Sequence, residues 1–204
     1  MIDLAHPVHI PGVDWETYKE ISEELGESRR HISFDDGIVT IMPITELHEL
    51  LTGLLHNFVT LTGIFLRSNV IPTGQATMRL KSAGLGVEPD LSYFVSTAAS
   101  HKIKNFVLDE LDTPPDIVVE IDFYHSSDTK FDIYSRFGVS EFWQYQDERL
   151  RMFKLQDGKY EEIDRSEQLP ILTSSALTDF LKRVTTEEQL RILTDFQDWL
   201  QANK

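Results

Sequence analysis

Glu120 and Asp122 lie in DIVVEID (116–122), where Ile117, Val118, Val119 and Ile121 otherwise read as a strand buried on both faces. Alternate strand residues share a side, so Val118, Glu120 and Asp122 point one way and Ile117, Val119 and Ile121 the other. A third carboxylate, Asp90, follows Glu88-Pro89 at the head of another β-rich segment, with Ser92 and Phe94 on its side. A carboxylate in a low-dielectric strand is costly unless it is protonated, paired or bound to a cation. If the two strands are neighbours, Asp90 and Glu120 face each other across a site of like charge. Such a site attracts a divalent cation with oxygen preference, Mg²⁺ above all or Mn²⁺. Water on that cation has a lowered pKa and can attack a phosphodiester. The competing reading is a pair of strand-end carboxylates, solvated or paired with Lys81 or Arg79. Asp122 is read either as a further ligand or as a group that has already reached solvent.

The elements that must position these residues are legible in outline. Asp14 is a helix N-cap for WETYKEISEEL, with Gly26 as the stop. HISFDDGIVTIM carries two β-rich runs around Asp-Asp-Gly, a hairpin signal. Residues 46–68 repeat apolar side chains at helical spacing, from Leu47 through Leu51, Leu54, Leu55 and Phe58 to Phe65, so that helix packs into the core. VIPTG, QATMRLKS and residues 90–96 are strand candidates, and 97–113 is polar and irregular. The strand at 116–122 follows Pro114-Pro115. Residues 127–137 read as a helix with Gly138 as C-cap. SEFWQYQ is a strand, RLRMFKLQDGKYEEIDR an Asp-Gly hairpin, and residues 186–201 a final amphipathic helix. The expectation is mixed α/β with one central sheet, in a single domain over 1–204: a core of about 30–165 and a C-terminal helical extension of about 174–204.

Composition narrows the function classes. The chain has 204 residues, no cysteine, 19 Lys plus Arg and 34 Asp plus Glu, for a formal net charge of −15. Disulfides and thiolate zinc sites are therefore excluded, and a reducing compartment is expected. The N-terminus lacks a basic region followed by an apolar stretch, and no run approaches the ~18 apolar residues of a membrane span, so a cytoplasmic protein is expected. The acidic balance opposes DNA binding at long range unless bases are clustered or cations intervene.

Pro89-Asp90 followed by Glu120 at the end of an apolar strand resembles the PD-(D/E)xK nuclease pattern. IMPITELHELL (41–51), VEPDLSYFV (87–95), PPDIVVEID (114–122), KFDIYSRFGVSEFWQY (130–145) and LQDGKYEEI (155–163) sharpen this to a resemblance to the Uma-two family of restriction-type endonucleases, over roughly residues 14–180. The resemblance implies a restriction-endonuclease-like fold: a central mixed β-sheet flanked by helices, with an N-terminal helix-hairpin and a C-terminal helix. It implies that Asp90 and Glu120 are catalytic metal ligands and that the carbonyl near Ile121 can contribute. The lysine of the pattern is replaced by Asp122. Lys130, at the start of the next helix, is a migrated candidate for that role, and Lys81 a second. Glu46, on the long helix, is a candidate outer metal ligand. His48, Gln75 and His125 are weaker polar candidates, each more often structural. Arg29, Arg30 and His31 form a possible phosphate contact. Tyr134, Phe137, Phe142, Trp143 and Tyr145 are read as core in preference to a base-stacking surface.

The leading expectation is a Mg²⁺-dependent endonuclease acting on DNA, working as a homodimer. The alternative is a catalytically inactive nuclease-fold scaffold, motivated by the displaced lysine and the −15 charge. A weaker third reading is a metal-dependent hydrolase of a small phosphate ester.

Overall fold

A computed structural model describes residues 8–25, 30–43, 45–99, 107–108, 112–122 and 128–204. The first sheet contains β1 (Val8–Pro11), β2 (Arg30–Asp35), β3 (Ile38–Pro43), β5 (Thr77–Leu80), β6 (Leu85–Val87) and β8 (Val107–Leu108), in the order β1-β3-β2-β6-β5-β8. The second contains β4 (Ile71–Pro72), β7 (Leu91–Phe94), β9 (Ile117–Asp122), β10 (Glu141–Gln146), β11 (Arg149–Gln156) and β12 (Lys159–Ile163), in the order β12-β11-β10-β9-β7-β4. The helices are α1 (Trp15–Leu25), α2 (Glu46–Leu66), α3 (Asp128–Phe137), α4 (Ser174–Leu181) and α5 (Gln189–Ala202).

The mixed α/β class holds, and the second sheet is the expected central mixed sheet, with β9 and β10 parallel and its other neighbours antiparallel. The strands before β7 do not all join it. Most form a sheet of their own, stacked on one side of the centre. One face of the central sheet (Tyr93, Ile117, Val119, Trp143, Met152) packs against α2, α4 and α5. Its other face (Phe94, Val118, Phe142, Phe153) packs against α3 and against Met78, Leu85 and Val87 of the first sheet. Covering on both sides explains why β9 is buried from end to end and why its apolar run shows no alternation. Helix α1 lies on the first sheet, Tyr18 stacked on Phe34 with centroids 4.9 Å apart.

Local chemistry sets the element ends. Thr45 caps α2, its hydroxyl accepting from His48 N–H at 3.2 Å, and Arg67 closes it in the left-handed region at φ 54°. The Asp-Gly turns keep positive φ at Asp36 and Gly37 and at Asp157 and Gly158, as the tight hairpins require. Among the described residues, α2 is the one helix long and apolar enough to cross a membrane, yet Leu51, Leu54, Leu55, Phe58 and Val59 are buried against the sheet and α5. The core accounts for that buried stripe of α2, while Leu50, Ile64 and Leu66 of the same helix are exposed.

Candidate active site

Strands β7 and β9 are antiparallel neighbours, with Leu91 opposite Val119 and Ser92 opposite Val118. Continuing that register sets Asp90 opposite Glu120, so the condition placed on the two carboxylates is met. Asp90 Oδ2 accepts from Ile121 N–H at 2.6 Å, and Asp90 N–H donates to Val119 C=O at 3.1 Å. Asp90 Oδ1 lies 3.0 Å from His48 Nε2, brought in by the first turn of α2. The neighbouring Asp90 raises the His48 pKa, although burial, the largest single influence, works the other way.

Glu120 is 1% exposed and faces α3. Lys130 Nζ donates to its Oε2 and Tyr134 O–H to its Oε1. Lys130 and Tyr134 are four residues apart, hence on one helical face, which is how a single short helix reaches both oxygens. Burial raises the Glu120 pKa; the Lys130 charge opposes this and the Asp90 and Asp122 carboxylates reinforce it. Burial alone would discharge Lys130, but Glu120, Asp122 and Asp90 together outweigh it and hold the ammonium protonated.

Asp122 is on the same face and 8% exposed. Gln144 Nε2 donates to its Oδ2 at 3.1 Å, and Gln144 sits beside Glu120 in the β9–β10 register. Asp122 also lines a cleft of about 290 Å³ with Leu47, Leu51, Tyr145, Leu181 and Val184.

The other candidates fall elsewhere. Glu46 is exposed in the first turn of α2, and Gln75 is exposed ahead of β5. Lys81 is exposed and pairs with Glu16 of α1 at 3.5 Å. Lys130 is thus the lysine brought to Glu120. Arg29 and His125 lie outside the described residues, as do the side chains of Arg30 and His31. Tyr134 and Gln144 were missed as site residues. Tyr134 carried a signal, one turn after Lys130; Gln144 carried another, an amide inside the apolar run EFWQYQ.

Family comparison gives the arrangement a context. A family model described as "Putative restriction endonuclease", Uma2, matches residues 15–186. The chain belongs to the Uma2 family. A comparison with curated proteins returns no match. One similar solved structure is a "putative nuclease belonging to DUF820 from Anabaena variabilis ATCC 29413", 13% identical, with a TM-score of 0.48, covering 83% of this chain and 90% of that one.

Whether this Uma2 site fits a divalent cation turns on its donors. Asp90, Glu120 and Asp122 offer only carboxylate oxygens, the type a hard cation prefers. Among the described residues, however, no three His, Asp or Glu side chains converge as a ready cation site. Glu120 has spent one lone pair of each oxygen on Lys130 and Tyr134 and keeps the others. The donors fit in type, and Lys130 is the group that neutralises Glu120 in this arrangement.

Proposed function

We propose that this Uma2 member is an endonuclease hydrolysing DNA phosphodiester bonds with the help of Mg²⁺ or Mn²⁺, acting in the cytoplasm as a homodimer. The observation that carries the reading is the facing pair Asp90 and Glu120, buried at one end of the central sheet with Lys130 on Glu120. Family membership supports the nuclease class.

A bound cation would supply charge neutralisation and a water of lowered pKa. Asp90 and Glu120 are the residues that would hold it, with Asp122 and the exposed Glu46 as further candidates. Lys130, kept protonated by the carboxylates around it, would stabilise the negative charge that develops on the phosphoryl oxygens as water adds and the ester bond breaks. His48 and Ile121 N–H fix the Asp90 carboxylate, and Tyr134 fixes Glu120. Side chains anchored on a strand and a helix hold such geometry better than loop residues do.

The test pairs calorimetric titration of Mg²⁺ or Mn²⁺ with plasmid nicking for wild type, Asp90→Asn and Glu120→Gln. Cation binding and nicking by wild type, with nicking reduced at least about 100-fold in either variant, is the expected result. Absence of both binding and nicking in wild type would overturn it in favour of a non-catalytic scaffold. Light scattering in the same buffer reads the dimer directly.

A further inference from the structure

Arg151 lies on β11 directly opposite Gln144, which in turn lies beside Glu120 of β9. Two strand spacings put its Cα roughly 10 Å from that of Glu120, and alternation gives it the same sheet face. The guanidinium is partly buried over the Phe153 ring, 5.4 Å from its centroid. Both of its hydrogen bonds leave from Nη2, to Gln144 Oε1 at 2.5 Å and to Gln146 Oε1 at 3.2 Å. Nη1 and Nε are uncommitted among the described residues, so three of the five donors of this fork are available.

Its surroundings are unusual for this chain. Asp plus Glu outnumber Lys plus Arg 34 to 19, and among the described residues the other partly buried or buried lysines and arginines are matched to carboxylates: Lys19 to Glu16, Arg79 to Glu23, Lys130 to Glu120, Lys154 to Glu167 and Arg183 to Glu187. Among the described residues, Arg151 is the partly buried base held by neutral amides alone. An amide fixes a guanidinium without neutralising it. The charge therefore stays whole, fixed in direction and next to the carboxylate site. Arginine in a fixed fork geometry suits a phosphate oxygen better than a flexible lysine does. Gln144 couples this group to the site, since its Oε1 accepts from Arg151 while its Nε2 donates to Asp122.

We propose that Arg151, aimed by Gln144 and Gln146, binds a backbone phosphate of the DNA strand and so positions that strand on the Asp90–Glu120–Lys130 site. The inference rests on the nuclease reading above. It also answers the obstacle of net charge: a −15 chain needs local, unneutralised bases to hold a polyanion.

The experiment is anisotropy of a fluorescently labelled duplex of about 30 bp in EDTA, across about 50–200 mM KCl, with wild type, Arg151→Gln, Arg151→Lys and Arg149→Gln. Arg149 is exposed and paired to Glu162, so it controls for generic loss of charge. Arg151→Gln is expected to weaken binding about tenfold and to lower the salt slope by about 1. Arg151→Lys is expected to recover the slope and only part of the affinity, a pattern that a merely structural arginine would not give. Equal affinity and slope in wild type and Arg151→Gln would overturn the contact while leaving the nuclease reading intact. Equal losses in Arg151→Gln and Arg149→Gln would also overturn it. A wild type that binds no duplex at any salt would overturn this contact, while the nuclease reading stands or falls by nicking in Mg²⁺ or Mn²⁺.

Discussion

At the scale of single residues, the Glu120–Lys130 pair decides how the site is held before any substrate arrives. Removing one partner of a buried pair leaves the other charge without compensation, at a cost of about 3–5 kcal/mol. Burial already pushes the Glu120 carboxyl up to about 8, so it is in urea titrations above pH 8 that Lys130→Met is expected to lower unfolding free energy by that amount, with a smaller loss at neutral pH, where Glu120 can take a proton. Adding Glu120→Gln should recover a good part of it, because the orphaned charge is then gone. A loss under about 1 kcal/mol in Lys130→Met would mean that Glu120 keeps its own proton and needs no lysine. Of this site, the positions of Asp90, Glu120 and Lys130 were legible from residue type and order. That Tyr134 would take the second oxygen of Glu120 was not, because an aromatic residue at helical spacing reads as core, and Tyr134 is indeed fully buried.

Among elements, the packing of α1 on the first sheet is the most exacting. A Cβ on Gly86 would fall 2.2 Å from Tyr18 Oη and 2.5 Å from Cζ, so only glycine lets the helix lie this close. Gly86→Ala should cost about 1–3 kcal/mol in chemical denaturation, and Tyr18→Phe should relieve only part of the clash, since the ring carbon remains. The Tyr18 hydroxyl is itself buried without a hydrogen-bond partner among the described residues. Burial first, and the Glu88 charge second, push its pKa up to about 12. Because the folded value is raised above 10, Tyr18 contributes stability that is whole below pH 10 and is lost as pH climbs to about 12. Stability measured across that window should therefore fall in wild type by up to about 2–3 kcal/mol, and Tyr18→Phe should remove that share of the fall. An unchanged pH profile in Tyr18→Phe would refute the assignment. Element existence was largely readable from periodicity. The separation into two sheets was not, because β5, β6 and β8 are short and owe their place to packing on Phe94 and Val118.

For the whole molecule, the family match ends at residue 186 while α5 begins at Gln189. This helix is nevertheless part of the fold. Ile192, Phe196 and Leu200 are at most 2% exposed, and Phe196 packs on Phe58 of α2 with centroids 4.3 Å apart. Three such side chains contribute about 1.5–3 kcal/mol each on burial. Truncation after Thr186 is expected to abolish a cooperative thermal transition or to drive aggregation through the bared face of α2. A truncated chain that melts as wild type does would show α5 to be dispensable. Since α2 also carries His48 to Asp90, α5 supports the site from behind the sheet.

By itself the sequence determined which groups can hold charge inside the core and which of them share a strand face. Residue type fixes which groups can hold charge, alternation fixes which of them share a face, and an apolar run long enough to be buried makes any carboxylate within it conspicuous. Tertiary structure alone decided who neutralises whom. Lys130 and Tyr134 meet Glu120, His48 meets Asp90, and Gln144 links Asp122 to Arg151 because helix packing and strand order bring together residues on different elements. Those pairings depend on which strands and helices become neighbours, and the pattern within one segment does not specify its neighbours.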